Sequence, residues 1–330
     1  MNHFVAYNMP KIDLHCHLDG SMGIRMTKKL LRELGEEYDE QTLTGLLQAP
    51  EDCISLAQYL ERFDLPIRCL QTATGLRESA KELALDAAKE NVKYMEVRFA
   101  PSFSTSGGLS VREILEAVRE GLLEAEEQAD IRTGILVCGM RNLDMETNLA
   151  MLKEARELYG YGVVGCDLAG DEKAYPTQLF TEFFLTAKKY GMPFTIHSGE
   201  CGSRENIKTA IELGAKRLGH GIAMAGDACL MKICAERRIG VELCPTSNLQ
   251  TKAVTDMAAY PLTEFLEAGV PVSVNTDNRT VSATTSTDEF MRLADAGMMN
   301  ERMSEQIYQD SVEMSFARDE VKQALLGYLY

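Results

Sequence analysis

Short apolar, β-branched runs that end in polar residues or glycine recur along this chain, each followed by a segment of helical periodicity. Eight runs can be marked, at 11–18, 92–100, 133–140, 163–169, 193–197, 217–224, 240–244 and 271–276. Strands that are apolar nearly throughout and alternate with helices imply a parallel sheet covered on both faces. Eight such units predict an α/β fold, a closed (β/α)8 TIM barrel. The intervening helices carry their own signals. In 111–128, Val111, Ile114, Leu115, Val118 and Leu122 fall on one face. The helix at 205–213 stops at Gly214, and that at 261–268 opens on Pro261 and closes on Gly269.

The 330 residues exceed the roughly 250 typical of such a barrel, and the surplus lies at 23–90, too long for one crossover. It reads as a helical insertion after the first strand. Leu56, Tyr59, Leu60 and Phe63 repeat there at helical spacing, as a stripe facing the core or as a lid over the barrel mouth. No linker, low-complexity tract or internal repeat divides the chain, so residues 1–330 are expected to form one domain.

A net charge of −16 repels phosphate backbones and anionic lipid, which argues against nucleic acid and membrane surfaces as partners. No apolar run approaches a membrane span, and the first residues lack the basic and apolar stretches of a secretory signal. A cytoplasmic protein is expected. Nine cysteines, an odd number without CxxC pairs, are expected as buried thiols in a reducing compartment.

Barrel chemistry is built at the C-terminal ends of the strands. The first run ends Asp13-Leu14-His15-Cys16-His17-Leu18-Asp19-Gly20, and strand alternation points His15 and His17 to one face, where they can share a metal. An isolated HxH is equally two ordinary histidines. The fifth run, however, ends Thr195-Ile196-His197-Ser198-Gly199-Glu200, the sixth carries Gly219-His220-Gly221, and the eighth leads to Asn275-Thr276-Asp277-Asn278. Four of only five histidines therefore stand at strand ends; the fifth, His3, lies in an N-terminus expected to fray. Imidazoles and a carboxylate form a mixed N/O set suited to zinc and other borderline divalent metals.

These motifs, with Met95-Glu96-Val97-Arg98-Phe99 and Asp167-Leu168-Ala169-Gly170-Asp171-Glu172, resemble in order the adenosine deaminase family of the metal-dependent amidohydrolase superfamily. The resemblance runs essentially end to end. It implies that His15, His17, His197 and Asp277 hold one Zn2+, that Glu200 and His220 do proton work, and that His17, Asp19, Gly170 and Asn278 face the substrate. The implied reaction is hydrolytic deamination of adenosine and 2′-deoxyadenosine to inosine-type products plus ammonia, a step of purine salvage. Its partners would be a small-molecule nucleoside and water, with no protein partner implied.

Each implied role has a physical content. Glu200 must arrive protonated to protonate purine N1, so its pKa must be raised by burial or a neighbouring carboxylate. His220 would orient or deprotonate the attacking water. Gly170 would let backbone approach N3, or merely turn the chain. Asp19 would accept from the ribose 5′-hydroxyl, or instead cap the helix that follows Gly20. Where the best-known family pattern has two aspartates, this chain has Asp277-Asn278. Purine N7 accepts a hydrogen bond, and an Asn amide donates one at any ordinary pH.

Rival readings have their own marks. The H-x-E and P-C-x-x-C arrangement of base-acting zinc deaminases is absent. Two-metal amidohydrolases use a modified lysine from the fourth strand, which here ends Asp167-Leu168-Ala169-Gly170. A deaminase of free adenine is the nearest alternative, and Asp19 resembles the nucleoside enzyme more. A nucleotide substrate would call for a basic cluster near the motifs, and none is seen. A dead barrel that only binds nucleosides would show a broken constellation, whereas every position here is filled. Because the histidine ligands must be neutral, activity is expected to fall below about pH 6.5.

Overall fold

The computed structural model describes residues 1–50 and 52–329. Its strands are β1 (Lys11–His17), β2 (Val92–Phe99), β3 (Arg132–Met140), β4 (Val163–Ala169), β5 (Thr195–Ser198), β6 (Arg217–His220), β7 (Gly240–Leu243) and β8 (Val272–Val274). All neighbouring pairs are parallel, in ladders β1-β2-β3-β4 and β5-β6-β7-β8. The two ladders meet at both seams. A parallel bridge joins Cys166 to Phe194, and another joins Cys16 to Asp277. At the second seam the Asp277 amide donates to His15 O at 2.8 Å and the His17 amide to Asp277 O at 2.7 Å. The ring therefore closes in chain order, and every strand's C-terminal end points to one rim.

Helix Val111–Gln128 forms where the periodicity places it. Ser110 and Glu113 cap its start reciprocally, and Ile114, Leu115, Val118 and Leu122 are buried, the helix lying against Ala73–Lys89. That neighbour corrects the bounds of the insertion. Ala73–Lys89 is the ordinary crossover helix from β1 to β2, so the extra material is residues 24–69, carrying helices Ile24–Glu33, Glu40–Leu47, Leu56–Leu60 and Asp64–Cys69. The N-terminus is also more ordered than expected. His3–Asn8 is a helix capped by Asn2, whose side chain accepts from the Val5 amide at 3.0 Å.

The strands differ from expectation in a way that matters for the site. Apolar side chains face the helices, but Asp13, Glu96, Arg98, Asp167, Arg217 and Glu242 are fully buried inside the ring. All nine cysteines are free; seven are buried, whereas Cys201 is half-buried and Cys229 exposed. Among the described residues no helix is long and apolar enough to cross a membrane.

Candidate active site

The histidines converge at the rim. His15 and His17 come from β1, His197 from β5 and Asp277 from the turn after β8, and one ligand atom of each lies within 4.8 Å of all the others. His17 Nε2 is 3.2 Å from His197 Nε2 and 3.5 Å from Asp277 Oδ1, which is 3.3 Å from His15 Nε2. His15 Nε2 is buried without a hydrogen-bond partner. Lone pairs of three imidazoles and a carboxylate converging in a dry place fit a divalent cation with nitrogen and oxygen ligands.

The backbone here is strained. Asp277 and His220 sit at φ of 57° and 63°, a left-handed conformation that costs a non-glycine residue about 1 to 3 kcal/mol. Neighbouring bonds overdetermine it. Beyond the seam bonds, Thr276 Oγ1 donates to Asp13 Oδ2 at 2.6 Å and the Leu14 amide to Asn275 Oδ1 at 2.8 Å. β8 stops after three residues because Asn275 and Thr276 spend their polar groups on this latch.

Behind the ligands stands a layer of charge that the sequence reading passed over. His15 Nδ1 is 2.7 Å from Glu242 Oε2, and His197 Nδ1 is 2.8 Å from Asp167 Oδ2. The first contact is a hydrogen bond that orients the ligating imidazole and keeps its proton on the nitrogen away from the metal position, and the second is a close charge contact without hydrogen-bond alignment. Arg98 reaches both, through Nη1 to Asp167 at 3.0 Å and Nη2 to Glu242 at 2.9 Å. Arg217 holds the other Glu242 oxygen at 2.6 Å and pairs with Glu96. Burial alone would raise Glu242 and Asp167; Arg98 and Arg217 around the first, and His197 and Arg98 around the second, instead hold both well below the usual carboxylate range. The signal was present in the sequence, as charged residues at alternate positions of otherwise apolar strands.

Glu200 is buried on the turn after β5. Burial, with the charges of Asp277 and Glu172, pushes its pKa up to about 8, so it carries a proton at neutral pH. Glu172 fixes that turn, accepting from the Gly199 amide at 2.9 Å and from the Cys201 amide. His220 Nε2 lies 3.7 Å from Glu200 Oε2, and burial keeps the imidazole well below the ordinary histidine pKa. Its Nδ1 is 3.0 Å from the Asn248 amide nitrogen, while Asn248 Oδ1 accepts from the Tyr260 hydroxyl at 3.0 Å. Nδ1 therefore accepts, and the neutral ring carries its proton on Nε2.

A cavity of about 420 Å³ opens above these groups. His17, Asp19, Gly170, His197, Glu200, His220, Asp277 and Asn278 all line it, so eight of the nine expected site residues share one space, and His15 lies beneath. Asp19 does not cap a helix; its carboxylate accepts only from the Gly20 amide at 3.0 Å, and burial raises its pKa to about 6. Gly170 has φ of 103°, which only glycine adopts readily. Asn278 Oδ1 is buried without a partner, and a Cβ on Gly20 would come within 1.8 Å of it, so glycine is needed to admit that amide. Leu56, Tyr59, Leu60 and Phe63 line the opposite wall, which settles the stripe as a cover of the mouth rather than part of the barrel core. Asp64, Ile67 and Asn142 also reach the cavity and were not anticipated.

The sequence profile of the family described as adenosine deaminase matches residues 10–330. An adenosine deaminase of Enterococcus faecalis is 42% identical over 323 residues, covering 96% of this chain and 95% of that protein. Among solved structures, the N6-methyl-AMP deaminase of Arabidopsis thaliana superposes with a TM-score of 0.87 at 27% identity, covering 98% of this chain and 97% of that one. An adenine deaminase of Arthrobacter aurescens, at 24% identity and a TM-score of 0.89 over 97% of this chain and 98% of that one, shares the fold. With a full-length profile match, a close relative and the metal-type constellation on one rim, the chain belongs to the adenosine deaminase family.

Proposed function

We propose that this protein hydrolyses adenosine and 2′-deoxyadenosine to the corresponding inosine and ammonia, with one zinc ion held by His15, His17, His197 and Asp277. The observation that carries the reading is a buried carboxyl, Glu200, in the cavity that opens onto the four converging ligands, with burial raising its pKa to about 8. Those four residues would hold a divalent ion, which when bound would lower the pKa of water there from 15.7 to roughly 7 and so make a nucleophile available at neutral pH. His220 presents Nε2–H toward the attacking oxygen and orients it rather than taking its proton. Glu200 gives its proton to N1 as oxygen bonds to C6. The proton of the new C6 hydroxyl passes to N6, the C6–N6 bond breaks as C6=O forms, nitrogen leaves as ammonia, and the proton given up by the attacking water returns Glu200 to its acid form. Gly170 brings backbone against N3, and Asn278 donates its amide to N7.

The sugar end selects the substrate. Asp19 accepts from the 5′-hydroxyl, and Asp64 and Asp171 also line the cavity while no lysine or arginine does, so a neutral nucleoside fits and a 5′-phosphate is repelled. The test is ultraviolet absorbance of adenosine, adenine and 5′-AMP in parallel, with protein before and after chelation and zinc return. Conversion of adenosine that chelator abolishes and zinc restores supports the reading. Preference for adenine would overturn the role of Asp19, and preference for 5′-AMP the role of the carboxylates.

A further inference from the structure

Resting on the metal reading above, we propose that Arg98 is a positioning residue for metal binding, a single clamp that holds two of the three histidine ligands at once. Its guanidinium is fully buried in β2, inside the ring and beneath the ligands. One arm runs Arg98 Nη1, Asp167 Oδ2, His197 Nδ1, with contacts of 3.0 and 2.8 Å. The other runs Arg98 Nη2, Glu242 Oε2, His15 Nδ1, with contacts of 2.9 and 2.7 Å. Nη2 also donates to the carbonyl of Leu14, the residue preceding His15. One planar group thus reaches β1, β4 and β7.

The reason for an arginine is geometric. Asp167 and Glu242 lie against the imidazole nitrogens turned away from the metal position, and a carboxylate there favours the tautomer that leaves Nε2 as the free ligand atom. Two carboxylates buried together need a shared cation. A guanidinium offers donors in a fixed fork and satisfies both from one position, whereas an ammonium is a point charge that can sit close to one and not the other. Arg217 does not substitute, since it touches Glu242 and Glu96 but not Asp167. Between them the two arginines face three carboxylates, so losing Arg98 leaves the Asp167 arm without any cation.

The clamp makes a claim that ordinary structural importance does not: the two arms are coupled through Arg98, although Asp167 and Glu242 come from different ladders of the ring. The experiment measures zinc affinity by chelator competition, together with the visible absorption of the Co2+-substituted protein, in the whole chain. Arg98→Lys keeps the charge and loses the fork; zinc affinity is expected to drop 10- to 100-fold with an altered Co2+ spectrum, at an unchanged far-ultraviolet circular dichroism spectrum. A Kd within twofold of wild type and an unchanged Co2+ spectrum overturn the proposal. A second cycle keeps Arg98 and so does not depend on that variant folding. Asp167→Asn and Glu242→Gln each weaken zinc binding, and together they are expected to weaken it less than the product of the two, because losing either carboxylate releases Arg98 and already loosens the other arm. Multiplicative losses mean independent arms and overturn the clamp. Failure of wild-type protein to bind zinc at all would instead overturn the metal reading itself.

Discussion

The strand ends and the 56–63 stretch line the same cavity, yet buried charge fixes the first while a thin apolar layer fixes the second. At the rim, His15, His197, Asp167, Glu242 and Arg98 are interlocked at 2.7 to 3.0 Å with almost no exposure. Leu30, Leu31, Leu43 and Leu47 root the rest of the insertion in the main core, but the cover itself is attached chiefly through Tyr59, which with Cys53 and Val281 forms a small separate cluster and shares a 2.6 Å hydrogen bond with Ser282 Oγ. The Ala49 amide adds one bond to Val281 O, while Ile54 is 74% exposed. A region with few buried contacts opens at lower free energy than one crossed by ionic locks. Rigid chemistry beneath a loosely held cover is the arrangement expected where substrate must enter and water must then be kept out.

The comparison breaks most visibly at Glu200. Replacing it with Gln removes the proton but keeps the shape, so kcat is expected to fall by about 10²- to 10⁴-fold, with KM for adenosine nearly unchanged. The urea midpoint should hold or rise, since a buried carboxyl with a raised pKa is no longer present. A loss of less than tenfold in kcat would remove Glu200 from the proton path. Asn278→Ala comes next, lowering kcat/KM by about 1 to 3 kcal/mol, roughly 5- to 150-fold. Asn278→Asp sharpens the point, because a carboxyl donates to N7 only while protonated and its activity should fall as pH rises. Kinetics of the Ala variant equal to wild type would take N7 away from this residue.

The pH profile of kcat/KM is a gentler perturbation of the same rim. Glu200 acts in its protonated form, and its pKa is raised to about 8, so activity is expected to be level below that pH and to fall about tenfold per unit above it. On the acid side the unperturbed histidine value of about 6.5 does not describe every ring at the rim. Burial holds His17 and His220 well below it, whereas against burial Asp277 and Glu242 prevail and hold His15 above it, so the acid limb is expected where His15 takes a proton in competition with the metal, at about pH 6.5. A profile level down to about pH 5 would show that bound metal keeps His15 neutral against its raised affinity for a proton.

What the sequence revealed follows the same division. His15, His17, His197, His220 and Asp277 were legible because strand alternation and the rim rule place strand-end residues without knowledge of packing. Arg98, Glu242 and Asp167 were not singled out, because their partners lie tens to more than a hundred positions away and only ring closure brings them together. The stripe Leu56, Tyr59, Leu60, Phe63 shows the limit on the other side. Periodicity announces an apolar face but carries no information about whether that face meets a core or a cavity. Asp19 was ambiguous for a related reason, since a residue at the end of a strand and the start of a helical turn satisfies both a cap and a ligand contact.

The smallest expected effect tests the joint between the two regions. Tyr59→Phe keeps the ring in its cluster and deletes only the hydroxyl bond to Ser282, a neutral hydrogen bond contributing about 0.5 to 1.5 kcal/mol. If that bond holds the cover against the turn after β8, its loss favours the open state before the chemistry begins. KM should then rise about 2- to 10-fold while kcat at saturating adenosine stays within twofold of wild type. Ser282→Ala should do the same, and the double variant should do no more than either single one, because both delete one bond. A fall in kcat with KM unchanged would carry the opposite meaning. It would place Tyr59 among the groups that hold the reacting atoms, and the cover would then belong to the rigid rim rather than stand apart from it.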